Sequence, residues 1–357
     1  MTRIVVVGAG LTGLAAAWEV TRSGADVVVL ESENHPGGVI VTERHEGFVV
    51  EGGPDGFLAA EPELQSLAAE LGIAGQLVDQ LARGSFLWTG RHLEPLPEGR
   101  AAAVLGITGI AREDLHKGFR SFATGMADVT DAVAARLGPA VQYSNAVTSI
   151  NPARRAYRIA LTDGSVVDSD GVILAIPAWM AARLLADLGV PLARELDGVV
   201  YHPSLTVSLA YRQEQLRGSL EGTGFVAEPE SNGVVRACTF ASQKYPGRAP
   251  VGSLLLRAFL APGDGDAAAL AHAHLAQILG LSGAPLWARA FAWVRGLPRY
   301  KPGHAEQMAE LRRGLSRLPP IAIAGAGVDG AGVSACVRSG RDAARTVLGR
   351  ISAVLPA

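Results

Sequence analysis

Residues 3–31 read RIVVVGAGLTGLAAAWEVTRSGADVVVLE, and they decide the fold. Arg3 to Val7 is a short β-branched run. Gly8, Gly10 and Gly13 mark the segment GAGLTG, Leu14 to Arg22 has the composition of a helix, and Ala25 to Leu30 is a second β-branched run closed by Glu31. A strand, a glycine turn, a helix and a second strand ending in an acid form a dinucleotide-binding unit. Gly8 lets the chain turn sharply out of the strand, Gly10 leaves room for a pyrophosphate, and Gly13 lets the helix lie close to the sheet. Leu11 and Thr12 stand at the helix entrance, where unpaired N–H groups and a partial positive charge suit phosphate. Glu31, about 20 residues past the glycines, suits a ribose hydroxyl. The motif alone does not separate FAD from NAD.

Composition narrows the rest. At 357 residues the chain is long for one core, so two domains are expected. Lys and Arg number 32 against 34 Asp and Glu, a net charge of −2 with no basic cluster, which gives no reason to expect nucleic acid. Cys238 and Cys336 are far apart and form no metal or redox spacing, consistent with a reducing cytoplasm. His272 and His274 point apart on a helix, so no metal site is expected. No uninterrupted apolar run reaches about 18 residues, so no transmembrane segment is expected. The apolar N-terminus is better explained by the glycine fingerprint than by a signal peptide.

Downstream of Glu31 lies SENHPGGVIVTERHEGFVVEGGPDGFLA, residues 32–59, with a second glycine pair at Gly37 and Gly38 and a rigid turn at Gly52, Gly53 and Pro54. With these strings the chain resembles the FAD-dependent amine-oxidase-like superfamily, and within it the protoporphyrinogen and coproporphyrinogen oxidases. Four later strings carry the same resemblance: GRHLEPLP at 90–97, GFRSFATGMADVTDAVAARL at 118–137, CTFASQKYPGRAP at 238–250 and WVRGLPRYKPGH at 293–304. At the end, IAIAGAG at 321–327 is a last parallel strand, and GAGVSACVRSGRDAARTVL at 330–348 opens a helix.

The resemblance implies an α/β chain: a Rossmann-like FAD-binding domain of amine-oxidase type with a discontinuous α+β substrate domain on a mostly antiparallel sheet. Residues 1–60, 118–177 and 298–357 are expected to build the first, and 61–117 and 178–297 the second. It implies non-covalent FAD contacted by Gly8, Gly10, Leu11, Thr12, Gly13, Glu31, Ser32, Gly37, Gly38, Val39, Gly52, Gly53, Pro54, Asp55, Val147 on the adenine side, Ala175, Trp293, Gly325, Ala331, Gly332 and Val333. The family's Asn after the first C-terminal glycine is Ala326 here, and its basic residue before the second is Asp329, which is expected to point to solvent. Cys336, near the expected flavin, reads as a small packing residue. Several β runs, Leu205 to Tyr211, Gly224 to Ala227, Val234 to Phe240 and Ser253 to Phe259, fit the substrate-domain sheet. Arg158 to Leu161 and Val166 to Leu174 look like a meander turning at Asp163-Gly164.

The implied reaction is oxidation of a tetrapyrrole substrate, a porphyrinogen, with dioxygen as acceptor and hydrogen peroxide released. No catalytic side chain is legible. An Arg would pair with a substrate propionate. The family's Arg position is Gly84 here, and Arg83, one residue off, is the candidate if the loop shifts register; Arg257 reads as structural. Trp88, Phe225 and Phe240 are candidates to wall a flat substrate. The family's helical membrane-binding insertion is reduced to residues 98–117, which implies weaker membrane association and a more open site that a homodimer or partner protein could complete. Two other readings stay open: an oxidase or dehydrogenase of another small molecule, of amine or polyene type, and a flavin-binding relic without turnover.

Overall fold

The computed structural model describes residues 2–97, 100–101, 112–153, 157–228, 233–261 and 263–354. Residues 98–99 and 102–111 of the shortened connection therefore lie outside the described residues. The β-branched runs pair as their composition demands. Arg3–Val7 lies parallel to Asp26–Leu30, with Ile4 facing Val27 and Val7 facing Leu30. The sheet extends through Val141–Gln142 on one side and through Gly171–Leu174 and Ile321–Ile323 on the other, all parallel. The last strand of the chain is thus two positions from the first.

Helices Leu11–Arg22, Ala127–Leu137 and Val333–Val354 cover one face of this sheet and bury Leu14, Val20, Val133, Val337 and Val347. A Cβ on Gly340 would lie 2.1 Å from the Thr12 carbonyl, so the first and last helices meet backbone to backbone. The meander Val147–Pro152, Tyr157–Leu161 and Val166–Ser169 covers the other face with helices Ala178–Asp187 and His304–Leu315. The single run expected over Val166 to Leu174 splits between two sheets. Asp170 makes the break: its backbone N–H donates to the Arg3 carbonyl at 2.8 Å, and its carboxylate accepts the Arg3 N–H at 2.9 Å.

A second sheet of seven strands has the order Trp287–Arg299, Val200–Arg212, Ser253–Leu260, Val235–Phe240, Gly224–Ala227, Ser85–Trp88, Leu93–Leu96. It is antiparallel except where Gly224–Ala227 meets Ser85–Trp88. Successive strand residues face opposite sides. Leu209, Leu254, Leu256 and Ala258 pack with Ala271 and Leu275 of helix Ala267–Leu279, while Ala210 and Leu255 face Phe48 and Val50 of the first domain.

Two helices pack apart from where chain order placed them. Pro62–Glu70 buries Leu64, Leu67 and Ala68 in the core under the first and last helices, and Ala178–Asp187 buries Ala181 and Leu185 beneath the parallel sheet. Both sit with the dinucleotide unit rather than with the seven-stranded sheet.

Candidate functional site: a cavity gripped by both chain ends

The strand Arg3–Val7 ends on Gly8, whose φ of +100° turns the chain out of the sheet. A Cβ on Gly13 would lie 1.9 Å from the Gly8 carbonyl, so helix and turn touch through bare backbone. Gly10 differs. It stands at the N-cap of helix Leu11–Arg22, and a Cβ there would meet no protein atom within 4 Å. The space in front of it belongs to a cavity of about 900 Å³, also lined by Leu11 and Thr12. A helix N-terminus with bare backbone facing an open cavity is the arrangement a pyrophosphate needs.

Glu31 fixes this turn. Its Oε2 accepts the Ala9 N–H at 2.6 Å, and its Oε1 accepts the Glu33 N–H at 2.9 Å and the Ser32 hydroxyl at 3.1 Å. A carboxylate has about four acceptor sites, so capacity remains for a ribose hydroxyl. The second glycine pair is tied to the first turn through the Gly37 N–H, which donates to the Ala9 carbonyl at 2.9 Å. Ser32, Gly37, Gly38, Val39, Gly52, Gly53, Pro54, Asp55, Val147 and Ala175 all line the cavity. So does Trp293, whose Nε1 donates to the Gly52 carbonyl at 2.7 Å.

The other end of the chain closes the same space with Gly325, Ala331, Val333 and Cys336; Gly332, which is exposed, and Gly13 are not among its lining residues. The Gly325 N–H is taken by Ser339 Oγ at 2.8 Å, and the Ser339 hydroxyl donates to Asp329. Asp329 lies at the surface, where Arg312 at 2.6 Å compensates it. Burial raises the Cys336 thiol, which keeps it in the unreactive protonated form.

Beneath Gly52–Asp55 lies a cluster of charges whose two halves come from EGGPDG and from SQKYPGR. Lys244 Nζ donates to both Asp55 carboxylate oxygens at 2.9 and 3.1 Å. Arg248 sits 3.2 Å from Glu51, both side chains almost wholly buried, and donates to Ser121 Oγ at 2.6 Å. The Ser121 hydroxyl in turn donates to the Asp55 carbonyl at 2.8 Å. Burial pushes the Asp55 carboxyl up, but Lys244 and Arg257 outweigh it and hold the group below the usual range. Burial wins at Glu51, whose carboxyl is raised despite Arg248, Thr42 and the Met126 N–H. Complementary charge between the two strings was the signal that could have joined them.

The four substrate candidates lie elsewhere. Arg83 Nη1 donates to the His116 carbonyl at 2.7 Å, away from the cavity. Trp88, Phe225 and Phe240 are buried in the core under helix Ala267–Leu279. Strand parity is the reason: Phe240 pairs with Leu256, one residue from Arg257, and so faces the opposite side of the sheet. The residues on the cavity side, missed in the sequence, are Arg257 and Phe259, joined by Tyr201, Trp179, Arg183 and Arg295. The alternation in LLLRAFL carried that signal.

The family model for flavin containing amine oxidoreductases matches residues 103–348, more than half of the chain, and the model for NAD(P)-binding Rossmann-like domains matches residues 6–71. The chain belongs to the flavin-containing amine oxidoreductase family. FAD is its cofactor, and the bare-backbone cradle at Gly10 fits it. Coproporphyrinogen III oxidase of Bacillus subtilis is 23% identical over 97% of this chain and 97% of its own length. The protein of the same name from Propionibacterium freudenreichii is 27% identical over 99% and 92%. The Bacillus alignment runs over 463 positions, so that relative carries internal sequence that these 357 residues lack. The crystal structure of a candidate protoporphyrinogen oxidase from Exiguobacterium sp. 255-15 shares the fold, with a TM-score of 0.82 at 24% identity over 97% of this chain and 98% of that one. No helix among the described residues of this flavin oxidoreductase is long and apolar enough to cross a membrane.

Proposed function

We propose that this flavoprotein oxidises a porphyrinogen, coproporphyrinogen III or protoporphyrinogen IX, to the porphyrin, with dioxygen as acceptor. Bound FAD supplies the hydride acceptor, and three two-electron cycles remove six electrons while three dioxygen molecules become hydrogen peroxide. The observation that carries the reading is the set of cations on the cavity lining. These are Arg183, Arg257 and Arg295, and Phe259, Trp179, Met180 and Leu297 are among its apolar side chains. Of the cavity-lining acids Glu31, Glu33 and Asp55, Glu31 accepts from backbone N–H groups and Asp55 pairs with Lys244, so neither of these two is poised to receive an ammonium group. That disfavours the amine reading and suits an acidic, flat substrate.

In this proposal Gly8, Gly10, Leu11, Thr12 and Gly13 hold the pyrophosphate, and Glu31 and Ser32 a ribose. Val147 packs on adenine, while Gly37, Gly38, Val39, Gly52, Gly53, Pro54, Asp55, Ala175, Trp293, Gly325, Ala331, Gly332 and Val333 hold the flavin, non-covalently. The protein's work is to bind, orient and exclude water; the chemistry asks for no side-chain acid or base. The test is porphyrin fluorescence with both porphyrinogens and FAD-loaded protein. Expected is porphyrin formation above autoxidation with three peroxides per porphyrin. Rates equal to a buffer blank with both would overturn the proposal.

A further inference from the structure

Strand Ser253–Leu260 carries an arginine on its cavity side. Arg257 is 7% exposed, lines the cavity, and its Nε has no hydrogen-bond partner among the described residues. A buried donor left unpaired is costly, so such a group calls for an explanation. The guanidinium lies over the Phe259 ring, 5.0 Å from its centroid, which holds it in place without using its donors. The neighbouring acids are already matched: Asp55 by Lys244 at 2.9 Å and Glu51 by Arg248 at 3.2 Å. The cluster thus holds three cations, Lys244, Arg248 and Arg257, against two acids, which leaves one positive charge in excess. On the same sheet face, the strand Val200–Arg212 places Ser208 opposite Arg257 and Thr206 opposite Phe259. Thr206 Oγ1 is a second buried polar atom without a partner.

We infer that Arg257 is the carboxylate-recognising residue of this cavity, so that the substrate is an organic acid held there through one of its carboxylates. The guanidinium fork matches a carboxylate in two parallel hydrogen bonds, and the ligand's negative charge balances the cluster. The inference deepens the porphyrinogen reading, whose substrates carry propionates, but it concerns the anion and stands on this strand's geometry.

Calorimetric titration of the FAD-loaded protein with 2-naphthoate and with 2-naphthylmethanol, its neutral counterpart, tests it. The acid is expected to bind roughly 10- to 100-fold tighter, the range of a charge-assisted hydrogen bond. Arg257→Gln should reduce that preference to within about threefold, and Arg257→Lys, which keeps charge but loses the fork, should retain part of it. Arg257→Lys also decides the matter if Arg257→Gln does not fold. Absence of acid binding to the wild type, equal affinity for the two probes, or an acid preference unchanged in the variants would overturn the inference. Porphyrin formation is read separately. An intact acid preference without porphyrin formation defeats the porphyrinogen reading alone, and the reverse pattern defeats Arg257 alone.

Discussion

Replacing Lys244 by Met tests whether the charge cluster beneath the cavity holds the Gly52–Asp55 loop. At 2.9 Å and an effective dielectric constant of about 20, the Lys244–Asp55 attraction amounts to roughly 6 kcal/mol before desolvation. The side chains are 14% and 25% exposed, so both have lost much of their hydration and most of that attraction is offset. Breaking a buried pair costs about 3–5 kcal/mol, and Arg257 remains to soften the loss, so about 2–4 kcal/mol is expected for Lys244→Met. Asp55→Asn should cost about 1–3 kcal/mol, and the double variant should fall short of the sum by about 1–2.5 kcal/mol. Urea unfolding of the FAD-saturated protein measures all three, with flavin fluorescence reporting release. The pH dependence supplies a second check. Because the Asp55 carboxyl is held low when folded, its contribution is present above the ordinary carboxylate range and is lost as pH falls through the lowered value. The gap between wild type and Asp55→Asn should therefore close below about pH 4. A coupling under about 0.5 kcal/mol, or a gap that widens in acid, would refute the reasoning.

Other outcomes follow from the same geometry. Gly10→Leu meets open space, so the protein should fold with a stability change under about 1 kcal/mol yet lose at least about 100-fold in FAD affinity. Gly13→Ala instead drives a Cβ onto the Gly8 carbonyl and should lower the unfolding midpoint markedly whether or not FAD is added. Glu31→Ala leaves the Ala9 and Glu33 N–H groups without their acceptor and should cost about 2–4 kcal/mol in denaturant unfolding, together with weaker FAD binding. Phe240→Leu should destabilise by about 1–2 kcal/mol and leave the affinity for 2-naphthoate within about twofold, because this ring faces away from the cavity. Cys336 should alkylate slowly with iodoacetamide at neutral pH and faster as pH rises above the ordinary thiol range, with FAD protecting it; rapid labelling at pH 7, seen by peptide mass spectrometry, would contradict a raised thiol.

Legibility followed the range of the interactions. The βαβ unit could be read because its causes are local: glycine positions, β-branched runs, and an acid at a fixed distance. The convergence of Gly10 and Gly325 on one cavity was expected from the resemblance to the family, not from either turn alone. The substrate wall was misjudged because Trp88, Phe225 and Phe240 are aromatic, and aromaticity does not say which face of a strand a ring occupies. Arg257 reads as structural in the sequence because the groups that surround it lie on other segments.

By itself, then, the chain determined the nucleotide-binding unit and the antiparallel character of the second sheet, while FAD and the C-terminal half of its cradle entered through the resemblance to a family. The first two depend on residue type and spacing over a few turns of chain. Only the tertiary structure decided which side of the second sheet faces the cavity, that EGGPDG and SQKYPGR neutralise one another, and that the buried Arg257 keeps an Nε without a hydrogen-bond acceptor among the described residues. A strand's side chains alternate, so a single step in register exchanges core for cavity, and buried charge is settled only by what lies across the gap.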